Sequence, residues 1–345
     1  MKTCVPFTFS GYKMLLIMLM AFLTVKQSYA QVPVNDLCLN ATSLTSATSC
    51  TAVPGTLNNA TVSAPAVATT CGIAGGDVWY SFVAQSVYPT ITLSSLGASL
   101  TGTNARIQLF SGVCGTLTSL GCVSASTFNT ATTYPTGLTP GTTYVIRIYS
   151  NTLAPTSAGA AWDFAICVTD PPANDLCSNA VLLTSATTCN TTAGTLNNAA
   201  ISIPAVATTC GTAGGDVWFS FVAQSVYPTI TLSSLGASLT ANARIQLFSG
   251  VCGSLTSLGC VSASTFNTAT SYPAGLTPGT TYFIRIYSNN LVPTSAGSAW
   301  DFAICVTDPP VNDLCDNAVS LTSSATCNTT TGTLNYAAVS NPAVT

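Results

Sequence analysis

The residues that could do chemistry in this chain are aspartates, cysteines and aromatics, and each set returns at a fixed spacing. Asp36, Asp77 and Asp163 come back as Asp175, Asp216 and Asp301. Carboxylates in such numbers could, with main-chain carbonyls, supply the oxygen ligands that calcium takes. No ordered calcium-loop pattern joins them, and each has a structural use to set beside that one. Asp36 is expected to cap a short helical turn, Asp170 to open a Pro-Pro linker, and Asp163 to meet Arg147 across the final hairpin. The chain has no histidine and no glutamate. A Ser-His-Asp or Cys-His arrangement needs an imidazole to move the proton, and glycosidase chemistry would need its paired carboxylates from aspartate alone. The expectation is therefore a non-catalytic region with no cofactor except, in the calcium reading, that metal.

The aromatics offer a binding surface. Tyr88, Tyr134 and Tyr149, with their copies Tyr227, Tyr272 and Tyr287, are the expected ligand contacts. Trp79, Trp162, Trp218 and Trp300 could form a flat platform for a sugar ring, but each lies in a strongly apolar run, which favours the core.

The cysteines point to an oxidising compartment. Without Cys4 they fall into sets of six: 38, 50, 71, 114, 122 and 167, then 177, 189, 210, 252, 260 and 305, with Cys315 and Cys327 after them. Even counts at repeated spacing, without CxxC pairs, indicate disulfides rather than metal. Short loops favour Cys114 with Cys122 and Cys252 with Cys260. The remaining four of each set allow three connectivities; pairing Cys38 with Cys50 would let Cys315 close on Cys327.

Residues 1–30 fit a cleaved secretory signal: Lys2 and Lys13 precede an apolar run from Met14 to Val25, and Ser28-Tyr29-Ala30 carries small residues before Gln31. That run is too short to span a bilayer, which takes about 20 residues. All three lysines leave with it, so four arginines face ten aspartates, a net charge of −6. Such a chain cannot neutralise phosphates, and neither nucleic acid nor an anionic membrane is an expected partner.

The positions of these residues are set by strands. Asp77-Val78-Trp79-Tyr80-Ser81-Phe82-Val83-Ala84 returns as Asp216-Val217-Trp218-Phe219-Ser220-Phe221-Val222-Ala223, 139 residues later. In Thr143 to Tyr149, the set Tyr144, Ile146 and Ile148 alternates with Val145, Arg147 and Tyr149, the period of a half-buried strand. Similar runs are Val78 to Ala84, Thr90 to Leu93, Ala105 to Phe110, Leu120 to Ser124 and Trp162 to Val168. They predict an all-β chain of tandem antiparallel β-sandwich modules, jelly-roll-like and stapled by disulfides. The modules are expected at 31–170 and 171–308, with 309–345 the start of a third that begins again with Asn312-Asp313-Leu314-Cys315. Paired prolines after Asp170 and Asp308 predict stiff, extended spacers.

The order Asn-Asp-Leu-Cys, Asp77 to Phe82, Phe110-Ser111-Gly112-Val113-Cys114-Gly115, Leu138 to Tyr144 and Phe164 to Val168 resembles repeats of large bacterial surface proteins. These are similar to the pre-peptidase C-terminal domains of secreted enzymes and adhesins. The resemblance implies a β-sandwich, an extracellular or cell-surface place, and export by the type IX route. The expected function is adhesion or the binding of an extracellular polymer, with a polysaccharide or another cell surface as partner. Accessory modules of a secreted hydrolase and a structural stalk are the alternatives. Ser81 to Thr101 is identical to Ser220 to Thr240, so the modules should bind the same thing.

Overall fold

The computed structural model describes residues 31–338, apart from residues 65, 135, 157–158, 273 and 294–296; the expected signal segment lies outside the described residues. The first module has ten strands: β1 (Thr42–Leu44), β2 (Ser46–Ala47), β3 (Val53–Thr56), β4 (Ala74–Val83), β5 (Thr90–Ser94), β6 (Ala105–Ser111), β7 (Thr118–Val123), β8 (Thr127–Asn129), β9 (Thr143–Asn151) and β10 (Asp163–Thr169). One sheet runs β1-β4-β9-β6-β7; the other runs β2-β10-β5-β8, with β3 also pairing β10. The second module repeats both sheets with the ten strands from Val181–Leu183 to Asp301–Thr307. The architecture is tandem β-sandwich, as the alternation predicts.

The leading segment of each module departs from an antiparallel pattern. β1 pairs parallel with β4, and β2 pairs parallel with β10, so this segment lies along central strands of both sheets. All other pairings in the module are antiparallel.

Tyr144, Ile146 and Ile148 of β9 join Val78, Tyr80 and Phe82 of β4 in the core between the sheets, with Ile91, Phe164 and Ile166 from the opposite sheet. The other side of β9 was expected to face solvent, yet Val145, Arg147 and Tyr149 are also buried. The segment before β4 covers them. Arg147 Nη1 donates to Val67 O at 3.2 Å and Gln108 Nε2 to Ala68 O at 3.0 Å, while Cys71 is tied to Cys122 on β7. Trp79, Phe110 and Val145 make a second small apolar cluster beneath this cover.

Gly75 and Gly76 let the chain after β9 and the turn at Ala60 approach the start of β4 closely. A Cβ at Gly75 would meet Leu153 O at 2.0 Å and one at Gly76 would meet Ala60 O at 2.5 Å, distances no side chain can occupy. The β4–β9 register shifts at this point, between Ala74 and Asp77, and it is Asp77 that resumes the ladder opposite Tyr149.

Candidate functional site

A cleft opens where one module ends and the next begins, and it occurs twice. At the first junction Gln85, Ser86, Tyr88, Pro140, Asp170, Pro171, Asp175 and Asn179 are among the residues enclosing about 460 Å³. At the second, Gln224, Ser225, Tyr227, Pro278, Asp308, Pro309, Asp313 and Asn317 take the same places around about 680 Å³.

Its walls are fixed from the strands upward. Asp170 follows β10 and is buried; its carboxylate accepts from Ser46 Oγ and Ser86 Oγ, each at 2.6 Å, so it ties β2 to the loop after β4. Asp308 does the same for Ser185 at 2.6 Å and Ser225 at 2.7 Å. Pro140 is held by the turn into β9, where Thr139 N–H donates to the Tyr144 hydroxyl at 2.9 Å. Asn179 ends the one-turn helix Cys177–Asn179, its N–H donating to Leu176 O at 2.9 Å. Gln85 and Asn179 are exposed at the rim and carry both amide donors and acceptors. The floor is apolar: Val87, Tyr88 and Leu176 line it, and behind it they form one cluster with Ala131, Ala200 and Ile203.

Carboxyl groups line each cleft, and among the described residues no basic side chain does. Asp175 accepts from Ala200 N–H at 2.7 Å and is otherwise enclosed; burial pushes its carboxyl up to about 8 against that hydrogen bond, and Asp216 adds to the rise. Burial, with the Asp175 charge nearby, likewise raises Tyr88. The paired prolines do not form free spacers, since Asp170 and Pro171 are buried against the junction.

A second recess, about 410 Å³ in one module and about 440 Å³ in the other, lies against Trp79 and Trp218 beside the Cys38 and Cys177 disulfides. Its first copy is lined mainly by Leu37, Leu39, Ala64, Ala66, Val67 and Leu117. The Trp79 indole N–H is already committed, donating to Ser63 Oγ at 3.0 Å and Asp77 Oδ1 at 3.1 Å.

The structure brings some expected site residues together and disperses others. Tyr88 and Tyr227 line the two clefts. Tyr149 and Tyr287 are both 0% exposed, which removes them as surface contacts: the cover over β9 places the Tyr149 hydroxyl 3.3 Å from Cys122 Sγ and 3.6 Å from Cys71 Sγ. Tyr134 and Tyr272 are half-buried against the two cores.

The aspartates form no group that could hold a metal among the described residues. Asp77 is fully buried and takes donors from Ser63 N, Ser63 Oγ, Trp79 Nε1 and both Nε and Nη2 of Arg147; Asp216 pairs with Arg285 in the same way. Arg147 thus meets Asp77, its neighbour along the β4–β9 ladder, and not Asp163. Asp163 accepts instead from Asn58 Nδ2 at 3.1 Å, and Asp301 from Asn197 Nδ2 at 3.3 Å. Asp36 caps no helix: its two oxygens accept from Thr61 N at 2.7 Å and Thr61 Oγ1 at 2.6 Å.

The disulfides also differ from the expectation. Cys114 bonds Cys38 rather than Cys122, Cys122 bonds Cys71, and Cys50 bonds Cys167; Cys252 bonds Cys177 rather than Cys260, Cys260 bonds Cys210, and Cys189 bonds Cys305. Cys114 and Cys122 lie near the two ends of the β6–β7 hairpin's second arm, Cys122 opposite Gln108 and Cys114 in the turn, so they cannot meet. Two bridges of each module pin a segment outside the sheets onto a strand, and the third ties the leading one-turn helix to the turn of the β6–β7 hairpin or its copy. Cys315 and Cys327 are unpaired and exposed, because they correspond to Cys38 and Cys50, whose partners are Cys114 and Cys167.

Residues 34–164 and 173–302 each match the family model of galactose binding domain-like modules associated with the type IX secretion system. The chain belongs to this family, a class of extracellular or cell-surface β-sandwich. No curated protein matches it. Among solved structures it is similar to the CUB1-EGF-CUB2 domain of human MASP-1/3, at 7% identity and a TM-score of 0.18 over 68% of this chain and 94% of that one. A Paenibacillus xanthan lyase is similar at 12% identity and a TM-score of 0.19, over 76% of this chain and 25% of that enzyme. At such TM-scores neither likeness carries weight for fold or function. Among the described residues no helix is long and apolar enough to cross a membrane.

Proposed function

We propose that this is a non-catalytic, surface-displayed repeat protein whose modules bind neutral carbohydrate of extracellular polymers in the junction clefts. The observation that carries the reading is the cleft's recurrence with the same lining in a chain whose family is galactose binding domain-like. Its chemistry suits a neutral sugar. Proline and tyrosine offer apolar walls for a pyranose face, while Gln85 and Asn179 offer donors and acceptors to its hydroxyls. With no basic side chain among the described lining residues, the clefts offer a uronate or sulfated polymer no partner. Two clefts on one chain give avidity to individually weak contacts, which is what adhesion through repeats requires.

The test is retention on immobilised neutral polysaccharides of the chain and of a variant with Gln85→Ala, Asn179→Ala, Gln224→Ala and Asn317→Ala. Retention lost in the variant supports the reading; retention by the variant equal to that of the parent counts against the clefts. The pre-peptidase-like resemblance supports a second reading, accessory modules that hold a secreted hydrolase on its polymer. It uses the same clefts and adds a catalytic domain.

A further inference from the structure

The boundary between modules is a packed joint, and one of its residues changes between copies in a way that a single module does not require. The trailing end of module one presents Val87, Tyr88 and Ala131; the leading end of module two presents Leu176, Ala200 and Ile203, and the six form one apolar cluster. Asn198 Nδ2 crosses the joint to Thr48 O at 3.1 Å.

Ala200 has two counterparts, Thr61 in the first module and Ala338 in the third leading segment. All three do the same backbone task, donating N–H to the aspartate 25 residues earlier: Thr61 to Asp36 at 2.7 Å, Ala200 to Asp175 at 2.7 Å and Ala338 to Asp313 at 2.8 Å. Only Thr61 adds a hydroxyl, at 2.6 Å from Asp36 Oδ2. Omitting that donor beside an enclosed carboxylate is unfavourable in itself. What Ala200 gains is a place beside Tyr88, where the extra methyl of a threonine would crowd the packed cluster.

The neighbours change with it. Leu37 at the leading end of module one is 51% exposed, whereas its counterpart Leu176 packs into the joint. Ala64 is replaced by Ile203, which adds apolar surface to the cluster. At the second junction Val226 and Tyr227 again stand across the cleft from Leu314.

We propose that the trailing face formed by Val87 and Tyr88, and again by Val226 and Tyr227, is a recognition surface for the leading end of another module of this kind, and that alanine at position 200 or 338 admits docking where threonine at 61 does not. Threonine thus marks a leading end that satisfies its own aspartate without a module packed on it, and alanine marks one that expects a neighbour. Successive modules are held at a set angle rather than strung on a free linker. Docking needs no sugar, although the joint it makes also forms the walls of the proposed sugar cleft.

The test is the distance distribution, without sugar, between probes introduced as non-natural amino acids at the exposed positions Val113 and Val251. A docked joint gives one narrow distribution. Ala200→Thr and Tyr88→Ser should each roughly double its width, whereas Thr61→Ala should leave it unchanged. The emission of buried Trp218 reports whether module two stays folded in Ala200→Thr, and Tyr88→Ser tests the same joint from the other module. A broad distribution in the parent chain, or one as narrow in Tyr88→Ser as in the parent, would overturn the proposal.

Discussion

Replacing Asp77 with asparagine strikes the most heavily used polar group in the first module. Its carboxylate receives Ser63 N–H and hydroxyl, the Trp79 indole N–H and two guanidinium N–H groups of Arg147, and both members of the ion pair are within 1% of full burial. The asparagine keeps the shape but loses the charge, leaving Arg147 with Val67 O and the rings of Trp79 and Tyr149, 5.5 and 5.0 Å from its guanidinium carbon. Breaking one side of a buried pair costs about 3–5 kcal/mol. With a urea slope of about 2 kcal/mol/M, a loss of about 4 kcal/mol moves the unfolding midpoint of that module down by about 2 M. Asp216 still holds Arg285, so module two should keep its own transition and the urea curve should split. Asp163→Asn is the comparison, because that half-buried carboxylate takes one Asn58 donor and should cost no more than about 1 kcal/mol. The assay is urea unfolding followed by tryptophan emission. An unsplit Asp77→Asn curve at the parent midpoint would refute the reasoning, as would Asp163→Asn proving the more damaging change.

Other outcomes follow from the same geometry. Peptide mapping without reduction should recover Cys38 with Cys114 and Cys71 with Cys122; a Cys114–Cys122 peptide would contradict the fold around β7. Replacing Cys50 and Cys167 by serine opens a loop of 117 residues and should cost about 5 kcal/mol by the chain-entropy estimate, read as a lowered urea midpoint for module one. Because the folded Asp175 carboxyl is held at about 8 from an ordinary 3.8, the folded state binds the proton more tightly. Its contribution is full below about pH 4 and is lost as pH rises through 8, at up to about 1.4 kcal/mol per unit; Asp175→Asn should flatten that slope in pH-dependent melts.

The strands of the sandwich were legible because their alternation is a local signal. Val78 to Ala84 and Thr143 to Tyr149 show it over enough residues to count, and both lie in the sheets where they were expected. β1, β2, β3 and β8 have two to four residues each, too few to display a period, and two of them pair in parallel with strands far along the chain. The outward face of β9 misled for a related reason. Its Arg147 and Tyr149 read as solvent-facing, but the segment around Val67 and Cys71 covers them, and nothing local to β9 announces a cover from 80 residues earlier. The disulfides followed suit, since loop length favours near partners while these bridges tie distant covering segments to the sheets. Tyr88 was expected as an exposed ligand contact; it is buried instead at the joint, which could be seen only once the modules were side by side. The sequence signals that could have revealed the joint are the changes of Thr61 to Ala200 and Ala338 and of Ala64 to Ile203.

The most direct measurement is photo-crosslinking with a galactose-bearing diazirine probe, mapped by peptide mass spectrometry. Adducts on residues 83–90 and 171–180, and on their counterparts 222–229 and 309–318, are the expected result. Adducts confined to the recess beside Trp79 and Trp218, or none across a series of neutral sugars, would contradict carbohydrate binding at the junction clefts.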